Sequence, residues 1–347
     1  MAANFIDVHH HIIPEVYREG LKEFGIDKSG GMPLRAWTPE DSLELMEKNG
    51  IATAICSISE PAVYPILEKN KEKACALARR VNEFMAEMIR DYPGRFGAFA
   101  LLPLPDVDSA LREMEYALDV LKLDGIGLLS NYRDEYLGNT LFNELFAELQ
   151  KRKGAAYVHP SAPPANFVRP QFTPLDYVQE FTFCTARAAT NLIASGTMQR
   201  CPDIKLFFSH MGGVFPYLRL RLTTTLAGAR RNPRLPLNDE QRAALNSLEK
   251  PIYEYMAMYY YDTALSAHDV AFHAVETLDP THICYGSDSF FAGPASTQYV
   301  AEGIMRQYAP DSAEYYAVAR GNALKVFPRF KTSIEQDFPV EAFPVFH

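Results

Sequence analysis

Phe5-Ile6-Asp7-Val8-His9-His10-His11 runs a short apolar strand straight into three consecutive histidines. In an extended strand alternate side chains share a face, so His9 and His11 point one way and His10 the other. Two imidazoles on one face at a strand end are half of a metal site. Neutral imidazole suits zinc, manganese or iron, and a catalytic zinc takes about three protein ligands with one position left open. A run of three histidines between a hydrophobic strand and Ile12-Ile13-Pro14 is too short and too embedded for a purification-tag remnant. The competing reading is a polar patch that closes the strand, and distant partners decide between the two.

Three other apolar runs end in residues able to complete such a site: Tyr157-Val158-His159-Pro160, Phe207-Phe208-Ser209-His210 and Tyr285-Gly286-Ser287-Asp288. One histidine at a strand end is ordinarily a satisfied polar group. Four runs ending in His, His, His and Asp point instead to a metal or catalytic centre, provided that one fold brings the ends together.

Periodicity supplies that fold. Short apolar runs recur as buried strands, each followed by a segment with helical spacing. After the first strand come 52–59, 96–104, 125–130, 155–159, 205–210, 252–262 and 282–288, and between them helical patterns at 39–49, 69–91, 109–121, 141–152, 175–199, 216–229 and 267–278. Helical patterns at 296–307 and 312–327 finish the core. Thr38-Pro39-Glu40-Asp41 places a capping residue, a first-turn proline and acids ahead of an amphipathic run that stops at Asn49-Gly50. Strict alternation means either a closed (β/α)8 barrel or a doubly wound sheet. Eight strands and the absence of Gly-x-Gly-x-x-Gly favour the (β/α)8 TIM barrel, in which strand C-termini converge on the catalytic face. Gly/Pro-rich stretches at 25–34, 162–173 and 231–238 read as loop insertions. No linker divides the chain, so residues 1–347 read as one barrel domain, with a tail over 331–347 that packs on a neighbouring surface.

Bulk properties narrow the function. In 347 residues, 48% are apolar and 22% charged, a globular balance. With 43 acidic against 34 basic residues the net charge is −9 and no Lys/Arg block occurs, which excludes nucleic acid or an anionic membrane surface as the expected partner. The N-terminus lacks a secretory pattern and no run approaches a membrane span, so a cytoplasmic protein is expected. Cys56, Cys75, Cys184, Cys201 and Cys284 are scattered and odd in number, as reduced thiols are.

Taken together, Asp7-Val8-His9-His10-His11, Tyr157-Val158-His159-Pro160, Ser209-His210-Met211-Gly212-Gly213, Tyr261-Asp262-Thr263-Ala264-Leu265 and Tyr285-Gly286-Ser287-Asp288 resemble the amidohydrolase superfamily. The likeness is to its branch of aminocarboxymuconate semialdehyde decarboxylase and the salicylate-type decarboxylases, and it spans most of the chain. It implies that His9, His11, His159 and Asp288 bind one divalent ion, zinc first and manganese second, with no organic cofactor. His210 is then an acid/base residue, with Asp288 sharing the proton work. Leu128-Leu129-Ser130-Asn131 stands where two-metal hydrolases of the superfamily often carry a lysine, which implies a mononuclear site. Gly213 stands where dihydroxybenzoate and resorcylate decarboxylases typically have Glu, which places the chain nearer the aminocarboxymuconate and methylsalicylate-like members.

The same resemblance makes Arg35 and Trp37, in the loop after the first strand, candidates to bind a substrate carboxylate, against the commoner solvent-facing arginine. Asp288-Ser289-Phe290-Phe291-Ala292 departs from the family's aromatic-proline pattern, alters the pocket wall and makes Phe291 a substrate-binding candidate. Asp262 can orient a ligand histidine or cap a helix. The expected reaction is non-oxidative decarboxylation of a small aromatic or unsaturated acid with a hydroxyl, amino or carbonyl group beside the carboxylate. Hydrolysis of an amide, lactone or ester is the alternative, followed by a metal-containing binding protein without turnover. A homodimer or higher homo-oligomer is expected.

Overall fold

A computed structural model describes residues 4–332. Eight parallel strands form one sheet in chain order: β1 (Phe5–His11), β2 (Ile51–Ser57), β3 (Phe96–Ala100), β4 (Gly125–Leu129), β5 (Ala155–His159), β6 (Lys205–Phe208), β7 (Tyr260–Asp262) and β8 (Ile283–Cys284). The chain just beyond β8 returns to β1, where the Val8 N–H donates to Tyr285 O at 3.0 Å and the Asp288 N–H to His9 O at 2.9 Å. The result is a (β/α)8 barrel with helices between successive strands.

Ile6, Val8, Ile55, Phe99, Tyr157 and Phe207 fill the barrel interior, and Leu324, Phe327 and Phe330 pack against them. A second, larger apolar layer lies between strands and helices, with Met46, Leu77, Leu149, Leu192 and Ile304 as helix contributions. Both faces of every strand are therefore buried, which is why the strands read as continuous apolar runs rather than alternating ones.

Simple alternation would separate Val8 from His10 by no more than one pleat on the same face. Instead, β1 shifts register between Asp7 and His10 against β2. Val8 stays with the interior, while His10 reaches out to Ser42 on the helix Pro39–Asn49. The irregularity ends the apolar interior and begins the histidine cluster within two residues.

Several boundaries differ from the sequence reading. Residues 252–262 are not one strand: Ile252–Met256 is helical and only Tyr260–Asp262 pairs. Before the strand, in 252–259, the buried members are Ile252, Tyr255, Met256 and Tyr259, a three-four spacing that belongs to a helix. In 282–288 only Ile283–Cys284 joins the ladder. The segment 175–199 breaks at Gly196, whose φ of 74° divides Glu180–Ala194 from Thr197–Arg200. Helices Glu15–Lys22 and Asp239–Asn246 were not anticipated, nor was the small hairpin Lys28–Ser29/Met32–Pro33 inside the first loop. All five cysteines are free. No helix among the described residues is long and apolar enough to cross a membrane. The proposed packing of the tail concerns residues that, from 333 on, lie outside the described ones.

Candidate metal centre

At the C-terminal ends of β1 and β5, and just past β8, His9, His11, His159 and Asp288 each present a ligand atom, and these atoms lie within 4.8 Å of one another. All four residues are buried. His9 Nε2 and His11 Nε2 are 3.0 Å apart, and Asp288 Oδ1 stands 3.1 Å from the first and 3.2 Å from the second.

Each histidine is held from behind through its other nitrogen. His9 Nδ1 faces Asp262 Oδ2 at 3.0 Å, His159 Nδ1 faces the Pro160 carbonyl at 2.8 Å, and His11 Nδ1 lies 3.5 Å from Ser57 Oγ. With carboxylate and carbonyl as acceptors, Nδ1 carries the proton in His9 and His159, and Nε2 is left with a free lone pair. Burial and then repulsion from His11, His9 and His210 push His159 well below the ordinary imidazole range, keeping it neutral. Burial would raise the Asp288 carboxyl, but the His9 charge and hydrogen bonds from the surrounding imidazoles outweigh it and hold it well below its usual range. Burial opposes protonation of His9, yet Asp262 and Asp288 on either side raise it to about 10, so a cation bound at Nε2 takes the place of a proton that these carboxylates otherwise hold there. Three nitrogens and one carboxylate oxygen around a common point, with a surplus of negative charge beside them, suit one divalent cation.

Asp262, at the end of β7, ties the centre together. Its Oδ2 accepts from His9 and from the Tyr157 hydroxyl at 2.9 Å, and its Oδ1 accepts from the backbone N–H of His210 at 3.1 Å and of Ala264 at 2.9 Å. His210 follows β6 with a φ of 56°, and Asp288 has 58°, a left-handed backbone that non-glycine residues rarely adopt. His210 Nε2 lies 3.6 Å from Asp288 Oδ2, while its buried Nδ1 has no hydrogen-bond partner among the described residues. Asp7 braces the other side, accepting from Ser287 N and His9 N at 3.0 Å each and from the His10 ring at 3.0 Å.

A cavity of about 280 Å³ opens over this cluster, with His159, His210, Asp288 and Phe291 in its lining. Phe291 meets the His11 ring edge-on at 5.3 Å between centroids. The other two substrate candidates are elsewhere. Trp37 is buried behind the centre, donating to Ser42 Oγ at 2.9 Å, and Arg35 is exposed; neither lines the cavity. The first loop instead contributes Ser29, Gly30 and Met32 through its hairpin. Gly30-Gly31 at the turn was the sequence signal for that hairpin. Asp7 and Tyr157 were also missed as supports, although each stands two residues before a histidine of the cluster. Gly213 is enforced by packing: its φ is 60° and a Cβ would lie 2.3 Å from the Thr182 carbonyl oxygen.

The amidohydrolase family profile matches residues 6–329. The chain belongs to the amidohydrolase family. This amidohydrolase is 36% identical over 343 residues to a decarboxylase of Aspergillus niger, covering 94% of this chain and 88% of that one. It is 32% identical to 6-methylsalicylic acid decarboxylase of Penicillium expansum, over 95% of this chain and 98% of the other. Among solved structures, 5-carboxyvanillate decarboxylase of Novosphingobium aromaticivorans, complexed with manganese and 4-hydroxy-3-methoxy-5-nitrobenzoic acid, superimposes with a TM-score of 0.78 at 21% identity, covering 93% and 96% of the two chains. The barrel is thus shared with an enzyme of known structure, and the named relatives are decarboxylases.

Proposed function

We propose that the centre holds one divalent ion, zinc or manganese, through His9, His11, His159 and Asp288, and removes the carboxylate of a small hydroxylated aromatic acid as carbon dioxide. The observation that carries this reading is the convergence of the four ligand atoms beneath a cavity of about 280 Å³ that also exposes His210. A single-ring acid fits such a volume. The ion, when bound, supplies a Lewis acid for the substrate's carboxylate or neighbouring hydroxyl oxygen.

The protein side chains do the rest. Phe291 and Phe181 offer ring surfaces to an aromatic substrate, and the buried wall excludes water from the charge that develops as the C–C bond breaks. When that bond cleaves, its electron pair stays with the ring carbon, which takes a proton in place of the carboxylate. His210, with one nitrogen beside Asp288 and its ring at the cavity wall, is the proton carrier. The relatives named above, from Aspergillus niger and Penicillium expansum, support decarboxylation over hydrolysis on this scaffold. Carbon dioxide release from 2-hydroxybenzoates by the manganese- or zinc-loaded protein tests the proposal; release of an alcohol or amine from ester and amide substrates, with no carbon dioxide from any acid, would overturn it.

A further inference from the structure

The loop after β7 is anchored to the metal centre, since the Ala264 N–H donates to Asp262 Oδ1 at 2.9 Å. The next residue, Leu265, combines three properties that neither fold nor centre explains. It lines the cavity, it leaves 56% of its surface exposed, and its backbone has a φ of 50°. If the turn needed only a left-handed residue, glycine would provide it without steric cost and asparagine at a lower one than leucine. A leucine held there indicates that its side chain is used, and a large apolar side chain at a cavity mouth is used by being covered.

Around it the cavity offers Met32 from the hairpin, with Phe291 and Phe181, and among the described residues none that lines it is Lys or Arg. The negative charge of Asp288 already faces the same space. A substrate's reacting carboxylate is drawn to the centre, but a second carboxylate turned toward Leu265 would leave water with no cation to meet it.

We propose that Leu265, with Met32 and Phe291, forms a wall that determines specificity, selecting hydroxylated aromatic monocarboxylates with an alkyl substituent and rejecting those with a second carboxylate. This rests on the decarboxylase reading above for which carboxylate reacts, though not for the binding preference itself.

The test uses the manganese-loaded protein and two probes that differ at one position, 2-hydroxy-6-methylbenzoate and 3-hydroxyphthalate, in which a carboxylate replaces the methyl. Calorimetric Kd and kcat/KM are measured for both, with metal content and melting midpoint recorded for each variant. The wild type is expected to prefer the methyl acid by about 100-fold. Leu265→Arg should narrow that ratio at least about tenfold by gaining the diacid. Leu265→Asn, which tolerates the left-handed backbone, should weaken the methyl acid about tenfold at unchanged metal content. Equal wild-type affinities, or an unchanged ratio in both variants, would overturn the proposal. Turnover of neither acid would count against the decarboxylase reading, which the wider acid panel above decides, while the Kd ratio would still decide the wall.

Discussion

His9 and Asp262 are 253 positions apart in the chain, and their side chains meet at 3.0 Å, Nδ1 to Oδ2, with both groups fully buried. The carboxylate fixes the tautomer of His9 and turns Nε2 toward the other ligand atoms. It also holds the backbone of His210. One side chain therefore positions both the candidate ligand His9 and the backbone of His210, the proposed proton carrier, which makes it the structural link between binding and turnover in the proposed reaction.

Asp262→Asn replaces one acceptor oxygen by a donor and leaves either His9 and Tyr157 or two backbone N–H groups facing the wrong atom. Metal affinity should fall about 10- to 100-fold. Tyr157→Phe removes only one of the four hydrogen bonds to Asp262 and should cost about 1 kcal/mol of stability, with a smaller loss of metal affinity. Metal titration against a competing chelator measures both, and equal affinities in the wild type and Asp262→Asn would remove Asp262 from the site's support.

His11→Ala or His159→Ala should abolish metal retention and activity together, because the ion loses one of four ligands. His210→Ala should keep one ion per chain and lose about 100- to 10,000-fold in turnover. Elemental analysis beside kinetics separates the two classes; loss of the metal in His210→Ala would make that residue a ligand.

Glu60 is a buried carboxyl beside the cavity, accepting from the Ala162 N–H at 2.9 Å, and its own carbonyl accepts from Ser29 Oγ. Burial, reinforced by Asp176, raises it from 4.5 to about 7 against the pull of the Ala162 N–H and Arg169. Between those two values the folded protein keeps a proton that the unfolded chain has released. Stability contributed by this group is therefore present in full below about pH 4.5 and falls as pH rises to about 7. Glu60→Gln should flatten that fall by on the order of 3 kcal/mol between the two limits. Melting curves of both proteins across pH 5 to 8 provide the check, and identical pH profiles would count against it.

Arg35→Ala should leave kcat/KM within about twofold, since an exposed side chain away from the cavity makes no substrate contact. Trp37→Phe should lower stability by about 1 kcal/mol through the lost hydrogen bond to Ser42 while sparing KM. A large rise in KM for Arg35→Ala would show that the loop closes over substrate.

The barrel was legible because its strands are buried on both faces and its helices carry plain stop signals, such as Asn49-Gly50. The histidines and Asp288 were legible because each ends an apolar run. What pattern alone did not carry was the support behind them: Asp7 and Tyr157 act through partners that only closure of the barrel supplies, Ser287 and Asp262 among them. The short ladder of β7 was obscured because Ile252 to Asp262 is apolar but for Glu254 and the final Asp262, and its helical first half shows only in the spacing of buried residues. Trp37 looked like a substrate contact from its loop position, but the Pro39–Asn49 helix draws it under the barrel wall toward Ser42.

Isotopes in the product distinguish carbon–carbon cleavage from hydrolysis. Turnover of 2-hydroxy-6-methylbenzoate by the metal-loaded protein in D2O should give carbon dioxide and a phenol carrying one deuterium at the carbon the carboxylate vacated, because the ring carbon takes a solvent-exchanged proton from His210. In oxygen-labelled water the phenol should gain no label. No carbon dioxide from this acid, with solvent oxygen incorporated instead into the acid released from an ester or amide substrate by the same protein, would mark a hydrolase and contradict the account.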